Sequence, residues 1–163
     1  MVEIHQLYFS WRVSHCQFCF GLPSQIVGSQ QFNFGILKDT QMAMSLATFG
    51  SGCFWCTEAV FQYVRGVEKV VSGYSGGEMS PPTYKAVCTG TTGHAECVQV
   101  TFDSDIVSYQ ELLNAFFKTR DPTTLNQQGA DHGTQYRSVI YFHDEAQCKL
   151  AQTYRDQLNE AGV

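Results

Sequence analysis

The order in which two kinds of apolar spacing follow one another from residue 46 onward restricts the fold of this chain more than any other feature. Residues 46–50 read as a short strand. Residues 54–64 read as a helix, with Trp55, Ala59, Val60, Tyr63 and Val64 at helical spacing. A second strand at 67–74 runs into the flexible Ser75-Gly76-Gly77, and a short helical piece follows at 84–87. Residues 95–102 alternate as a third strand, with His94, Glu96, Val98, Val100 and Phe102 on one parity and Ala95, Cys97, Gln99 and Thr101 on the other. Ser108-Tyr109-Gln110-Glu111 is a capping box, and Leu112, Leu113, Phe116 and Phe117 behind it form the buried stripe of a long helix. A polar loop at 119–135 and a fourth strand at 137–142 come next. The last helix is capped by Asp144 and turns Ala146, Leu150, Tyr154 and Leu158 inward. This β-α-β-β-α-β-α succession predicts an α+β fold: a two-layer α/β sandwich with a ferredoxin-like split β-α-β core and a mixed, mainly antiparallel sheet.

Length and charge narrow the function classes. At 163 residues there is room for one domain with a real core and too little for two. A net charge of −5 leaves no basic stripe to neutralise phosphates, so nucleic acid is not an expected partner. No apolar run approaches the ~18 residues of a membrane span, and no membrane partner is expected either. Seven cysteines show no even disulfide framework, which fits a reducing, cytoplasmic setting and a monomer.

Residues 1–41 stand apart. Their charged residues are Glu3, Arg12, Lys38 and Asp39, and their aromatics follow no period, so neither an amphipathic helix nor a clean strand emerges. Arg12, His15 and Gln17 break the one candidate apolar segment for a signal peptide, while organelle targeting stays open. The expectation is a non-conforming N-terminal extension, open to being disordered, ahead of a domain at 42–163.

Chemistry concentrates in Gly50-Ser51-Gly52-Cys53-Phe54-Trp55-Cys56-Thr57-Glu58. A cysteine at the start of a helix meets unpaired backbone N–H groups and the positive end of the helix dipole, both of which favour thiolate over thiol. Phe54 and Trp55 should wall a pocket or join the core. Cys53 and Cys56 also fit a plain pair of core cysteines. With Cys16 and Cys19 they make two Cys-x-x-Cys pairs, but the 33 residues between exceed the ~15–20 of a zinc spacing, so no metal is expected. In the third strand the parity of Val98, Val100 and Phe102 places Glu96 on the core side, where desolvation would keep its carboxyl protonated. A strand-end glutamate turned to solvent is the other reading. His94 and His132 suggest a cysteine hydrolase, yet neither lies in a hydrolase-type motif.

The wording around Cys53 is narrower than Cys-x-x-Cys. Gly52-Cys53-Phe54-Trp55 with Glu58 is followed by Gly73-Tyr74-Ser75-Gly76-Gly77, Pro82-Thr83-Tyr84 and Gly90-Thr91-Thr92-Gly93-His94-Ala95-Glu96. Asp121-Pro122-Thr123-Thr124-Leu125-Asn126 and Gly133-Thr134-Gln135-Tyr136-Arg137-Ser138 complete the series. In this order, over residues 45–160, the chain resembles the A-type peptide methionine sulfoxide reductases. The resemblance implies the same two-layer core, and a domain cut short at its C-terminal end. It makes Cys53 the nucleophile and Glu96 the acid, with Tyr84 and Tyr136 on the sulfoxide oxygen. Asp131 would position the substrate, and Phe54 and Trp55 would receive its methyl group. Glu58 is expected to support the first helix turn through local hydrogen bonds.

The expected activity is reduction of methionine sulfoxide, S epimer, free or in proteins. It needs no bound cofactor: a Cys53 sulfenic acid would be resolved by Cys56, and the disulfide reduced by thioredoxin or another dithiol. Which cysteine resolves is open, since Cys88 and Cys97 flank the loop before Glu96. Two alternatives are a general thiol-disulfide oxidoreductase, suggested by Cys-x-x-Cys alone, and an inactive module that binds oxidised methionine.

Overall fold

The structure, a computed structural model, describes residues 43–162 and the backbone of residues 5–8. Strand β1 (His5–Tyr8) is followed by β2 (Met44–Ser51), helix α1 (Phe54–Phe61), β3 (Val67–Ser75), the short α2 (Tyr84–Cys88), β4 (Ala95–Asp103) and α3 (Tyr109–Lys118). Then come two-residue strands β5 (Gln127–Gln128) and β6 (Asp131–His132), a 3-10 turn at Thr134–Tyr136, β7 (Ser138–Phe142) and α4 (Glu145–Glu160). The main sheet has the order β1-β7-β2-β4-β3.

Strands β2 and β3, joined through α1, do not touch. β4 lies between them, antiparallel to both, and this is what splits the β-α-β unit. Because β4 intervenes, no parallel pair forms. Every pairing among the described strands of the sheet is antiparallel, against the expected sheet that was mixed but mainly antiparallel. β1 is a second departure from expectation: it pairs along the open edge of β7, His5 opposite Phe142 through Tyr8 opposite Val139. Backbone pairing needs no side-chain period, and four residues are too few to show one. The rest of 1–41, Cys16 and Cys19 included, lies outside the described residues.

One sheet face carries the helices. Phe49 of β2 is fully buried and stacks on Phe61 of α1 and Phe116 of α3, each at 5.1 Å between centroids, so one side chain joins three elements. Val98, Val100 and Phe102 of β4, Ile140 of β7, Leu112 and Leu113 of α3 and Ala151 of α4 fill the same core. Burying a side chain of this size contributes ~1.5–3 kcal/mol, so these residues set where α1 can lie. The opposite face holds a smaller cluster of Ala95, Cys97, Val139 and Tyr141. Ser108 and Glu111 form the expected capping box at the start of α3.

Two helix faces differ from the sequence reading. In α1 the inward residues are Phe54, Thr57 and Phe61, while Trp55 is 63% and Tyr63 91% exposed. The helix is apolar nearly all round and ends at Phe61, so Tyr63 and Val64 fall outside its phase. In α4 the inward stripe is Gln147, Ala151, Tyr154 and Leu158; Ala146 and Leu150 face out. Gln147 takes an inner position because its amide donates to the Leu46 carbonyl at 2.7 Å and its oxygen accepts from the His143 N–H at 3.1 Å. Hydropathy carries no sign of that.

Candidate active site

Cys53 is the N-cap of α1 and stands just past Gly52, whose φ of +81° suits glycine. A Cβ on Gly52 would come within 2.5 Å of Gln128 Cβ, so the polar loop is pressed onto the turn that presents the sulfur. The Cys53 carbonyl accepts from the Thr57 N–H at 3.2 Å and the Thr57 hydroxyl at 3.1 Å, while its side chain caps nothing and is left free to react. Arg120, 7% exposed, donates to the Gly50 carbonyl at 3.2 Å with its guanidinium 4.6 Å from the Phe116 ring centre. Burial lowers its pKa to about 10, which still leaves it a cation at neutral pH.

Glu96 is 3% exposed on the core side of β4, as its parity predicts. Its Oε2 accepts from the Phe54 N–H at 3.1 Å, which sets the carboxyl beside the first residue after Cys53. Burial pushes the Glu96 pKa up. The Phe54 N–H pulls the other way, and the charge of Asp131 adds to the rise. The result is a carboxyl that holds its proton above the usual carboxylate range.

Aromatic rings wall this side. Phe54 meets Trp55 at 5.4 Å and Tyr74 at 5.5 Å, and Trp55 stacks on Tyr84 at 6.3 Å. Tyr74 lies directly across from Glu96 in the β3–β4 ladder. Burial raises the phenol pKa of both Tyr74 and Tyr136, and the Glu96 charge is the next cause for each. Arg137 holds Tyr136 in place from behind, donating to the Thr134 and Gly93 carbonyls, both at 2.9 Å.

The other side holds the second thiol. Cys53, Cys56, Ser51, Thr119, Gln128 and Asp131 line a cleft of about 210 Å³ between α1 and the β5–β6 hairpin. The Cys56 thiol is pushed up by the charge on Cys53, by the hydrogen bond between the two side chains, by burial, and last by Asp131. It therefore stays protonated while Cys53 is charged.

Of the residues singled out in the sequence, Cys56 and Asp131 share the cleft with Cys53, and Glu96 accepts from the Phe54 N–H. Phe54, Trp55 and Tyr84 form a run of rings, and Tyr136 lies within electrostatic reach of Glu96 and Asp131. Others fall elsewhere. Cys97 lies on the far face of the sheet, its thiol pushed up to about 12 by burial. Cys88 is exposed at the end of α2 and hydrogen-bonded to Tyr84. His94 Nδ1 accepts from the Gly77 N–H at 3.2 Å, so Nε2 carries the proton given to the Met79 carbonyl at 2.8 Å. It braces a loop, and His132 is exposed. Glu58 does accept locally from Gln62 at 3.0 Å, but it also accepts from Ser72, fastening α1 to β3 beyond its own turn. Tyr74, Arg120, Arg137 and Gln128 were not foreseen. Tyr74 sits in a quoted motif, but its place across from Glu96 needs the strand register.

Fold and site together define a two-layer α+β domain that presents a thiol close to a buried carboxyl of raised pKa and a second thiol. The chain belongs to the peptide methionine sulfoxide reductase family, whose model matches residues 45–163. The peptide methionine sulfoxide reductase MsrA of Natronomonas pharaonis is 56% identical over 116 residues, 71% of this chain and 65% of that protein's length. Among solved structures, reduced Mxr1 from Saccharomyces cerevisiae is 36% identical with a TM-score of 0.67, over 75% of this chain and 72% of that one. Mxr1 in complex with Trx2 is 25% identical with a TM-score of 0.50, over 75% and 71%. This chain spans just under two thirds of the length of the curated relative.

Proposed function

We propose that the chain reduces the S epimer of methionine sulfoxide, free or in proteins, with Cys53 as nucleophile and Glu96 as acid. The Cys53 thiolate attacks the sulfoxide sulfur while the Glu96 proton passes to the oxygen, with Tyr84 and Tyr136 donating to that oxygen as its charge grows. Phe54 and Trp55 offer the methyl group an apolar wall beside the polar S=O. Methionine leaves, and Cys53 keeps the oxygen as a sulfenic acid. Condensation with the Cys56 thiol releases water and forms a disulfide, which thioredoxin or a similar dithiol reduces. No bound cofactor enters. The yeast relative solved with Trx2 supports a thioredoxin-type donor.

The observation that carries this reading is Glu96: a carboxyl 3% exposed, its pKa raised by burial, hydrogen-bonded to the N–H next to the nucleophile. A protonated acid at that place serves removal of an oxygen and has no use in plain disulfide exchange. Incubation with excess methionine sulfoxide and no reductant should yield about one methionine per site, the stoichiometry of one thiol attack. Adding thioredoxin with its reductase should restore turnover. No methionine together with reduction of insulin would mark a disulfide exchanger, and neither activity a binding module.

A further inference from the structure

The second half of that reaction needs two proton transfers, and the structure supplies two carboxyls near Cys53: Glu96 on the Phe54 N–H and Asp131 in the cleft that holds both thiols. Resting on the reading above, we propose that Asp131 is the base of the resolving step. Its carboxylate takes the Cys56 proton as the Cys56 sulfur attacks the Cys53 sulfenic acid, and Glu96 gives a proton to the departing oxygen. The S–O bond breaks, the S–S bond forms, and water leaves. Glu96, which gave its proton to the sulfoxide oxygen in the first step, takes a proton from solvent before it donates again. One proton then passes from Cys56 to Asp131 and one from Glu96 to the oxygen, so the balance closes without any further oxidant or reductant.

Three observations place Asp131 in this role. It is the one acidic side chain lining the cleft that also holds Cys53 and Cys56. Its carboxyl makes no hydrogen bond or ion pair with any described residue, whereas Glu96 is already engaged by the Phe54 N–H. Its position is also fixed relative to the sulfur. Asp131 pairs with Gln128 across the β5–β6 hairpin, Gln128 is pressed onto Gly52, and its side-chain oxygen accepts from the Asp121 N–H at 3.2 Å.

The electrostatics also order the two steps. The largest influence keeping Cys56 protonated is the charge on Cys53, and that charge disappears once Cys53 has become a sulfenic acid. Asp131, itself negative, still opposes a free Cys56 thiolate. The proton therefore leaves in concert with S–S bond formation and passes to the carboxylate.

The test follows methionine release and disulfide formation separately, by rapid quench in excess sulfoxide without reductant. In Asp131→Asn, disulfide formation should slow by about 10² or more, the usual worth of a positioned base, and by at least about tenfold more than methionine release. Dimedone-labelled Cys53 should accumulate, and Asp131→Glu should recover part of the rate. Equal slowing of both steps would overturn the proposal and place Asp131 on the sulfoxide. A disulfide rate near wild type, or a mapped wild-type disulfide that omits Cys56, would overturn it too. The wild type gives an independent reading: its disulfide step should not speed up with pH but decline as Glu96 loses its proton, as the first step does, and a rise of about tenfold per unit would show an unaided thiol at work. Failure of the wild type to release any methionine would instead sink the underlying reductase reading.

Discussion

The β4 side of Cys53 and the hairpin side are made of different materials. On the β4 side, Glu96 is 3% exposed, accepts from the Phe54 N–H and faces Tyr74 across the ladder, and burial raises its pKa. On the hairpin side, Cys56 is exposed and Asp131 only half-buried, in a cleft that polar side chains share with Val60. A dry wall raises a carboxyl pKa and makes an acid; a wet one leaves a carboxylate free to accept. The same residue type can therefore serve opposite ends of one reaction, and environment decides which. Both chemical steps take a proton from the dry wall for the oxygen, and the second also needs the base on the hairpin side.

Removing the sulfurs one at a time gives the largest effects and separates the two sides. Cys53→Ser should abolish even a single turnover, because both walls lose the atom they share. Cys56→Ser should spare the dry side: one methionine per site, a dimedone-reactive Cys53, and no sustained turnover with thioredoxin. If Cys56→Ser still turns over many times, the wet side does not hold the resolving thiol, and mass mapping of the wild-type disulfide would name the cysteine that does.

Glu96→Gln breaks the dry side alone. Sulfoxide reduction should slow by ~10²–10⁴, and the deficit should shrink as pH falls and solvent supplies protons. In the wild type the first step should decline as pH rises through the elevated Glu96 pKa. Stability should move in a related way. The folded protein binds this proton more tightly than the unfolded chain does, so stability falls as pH rises from the ordinary glutamate range to the folded pKa. Above that window Glu96→Gln, which has no charge to bury, should melt no lower than wild type. An unimpaired Glu96→Gln enzyme would end the acid assignment.

Much of this contrast could be read before any coordinates. Alternation in β4 put Glu96 inward, and the capping box at Ser108 placed the start of α3. The reading failed where position depends on partners distant in sequence. Gln147 is inside because it bonds Leu46, 101 residues away. Trp55 is outside because it lies against Tyr84 at the open rim. The loop at 119–135 hid a two-strand hairpin, since strands of two residues have no period to show. Arg120 gave no signal at all, as nothing in its neighbours announces a buried cation on the Gly50 carbonyl.

Tyr74 sharpens the comparison with the smallest change. It is the one dry-wall residue that faces Glu96 across the ladder without a part in the proposed chemistry, so it separates the effect of a wall from that of a catalytic group. If its ring matters because it excludes water, Tyr74→Leu should let solvent reach Glu96 and lower its pKa, shifting the decline in the first step to lower pH. Activity at neutral pH should then fall by about tenfold or less, because the acid remains in place and only its protonated fraction drops. Tyr74→Phe keeps the ring against Phe54 and should keep the wild-type pH profile. Tyr74→Phe should leave disulfide formation after a single turnover at its normal rate, while Tyr74→Leu should slow it along with the first step, since Glu96 donates in both. A pH profile shifted equally by Tyr74→Phe and Tyr74→Leu would show that the hydroxyl, rather than the dry ring, sets the acid, and Tyr74 would then join Tyr84 and Tyr136 as a phenol that takes part in the chemistry.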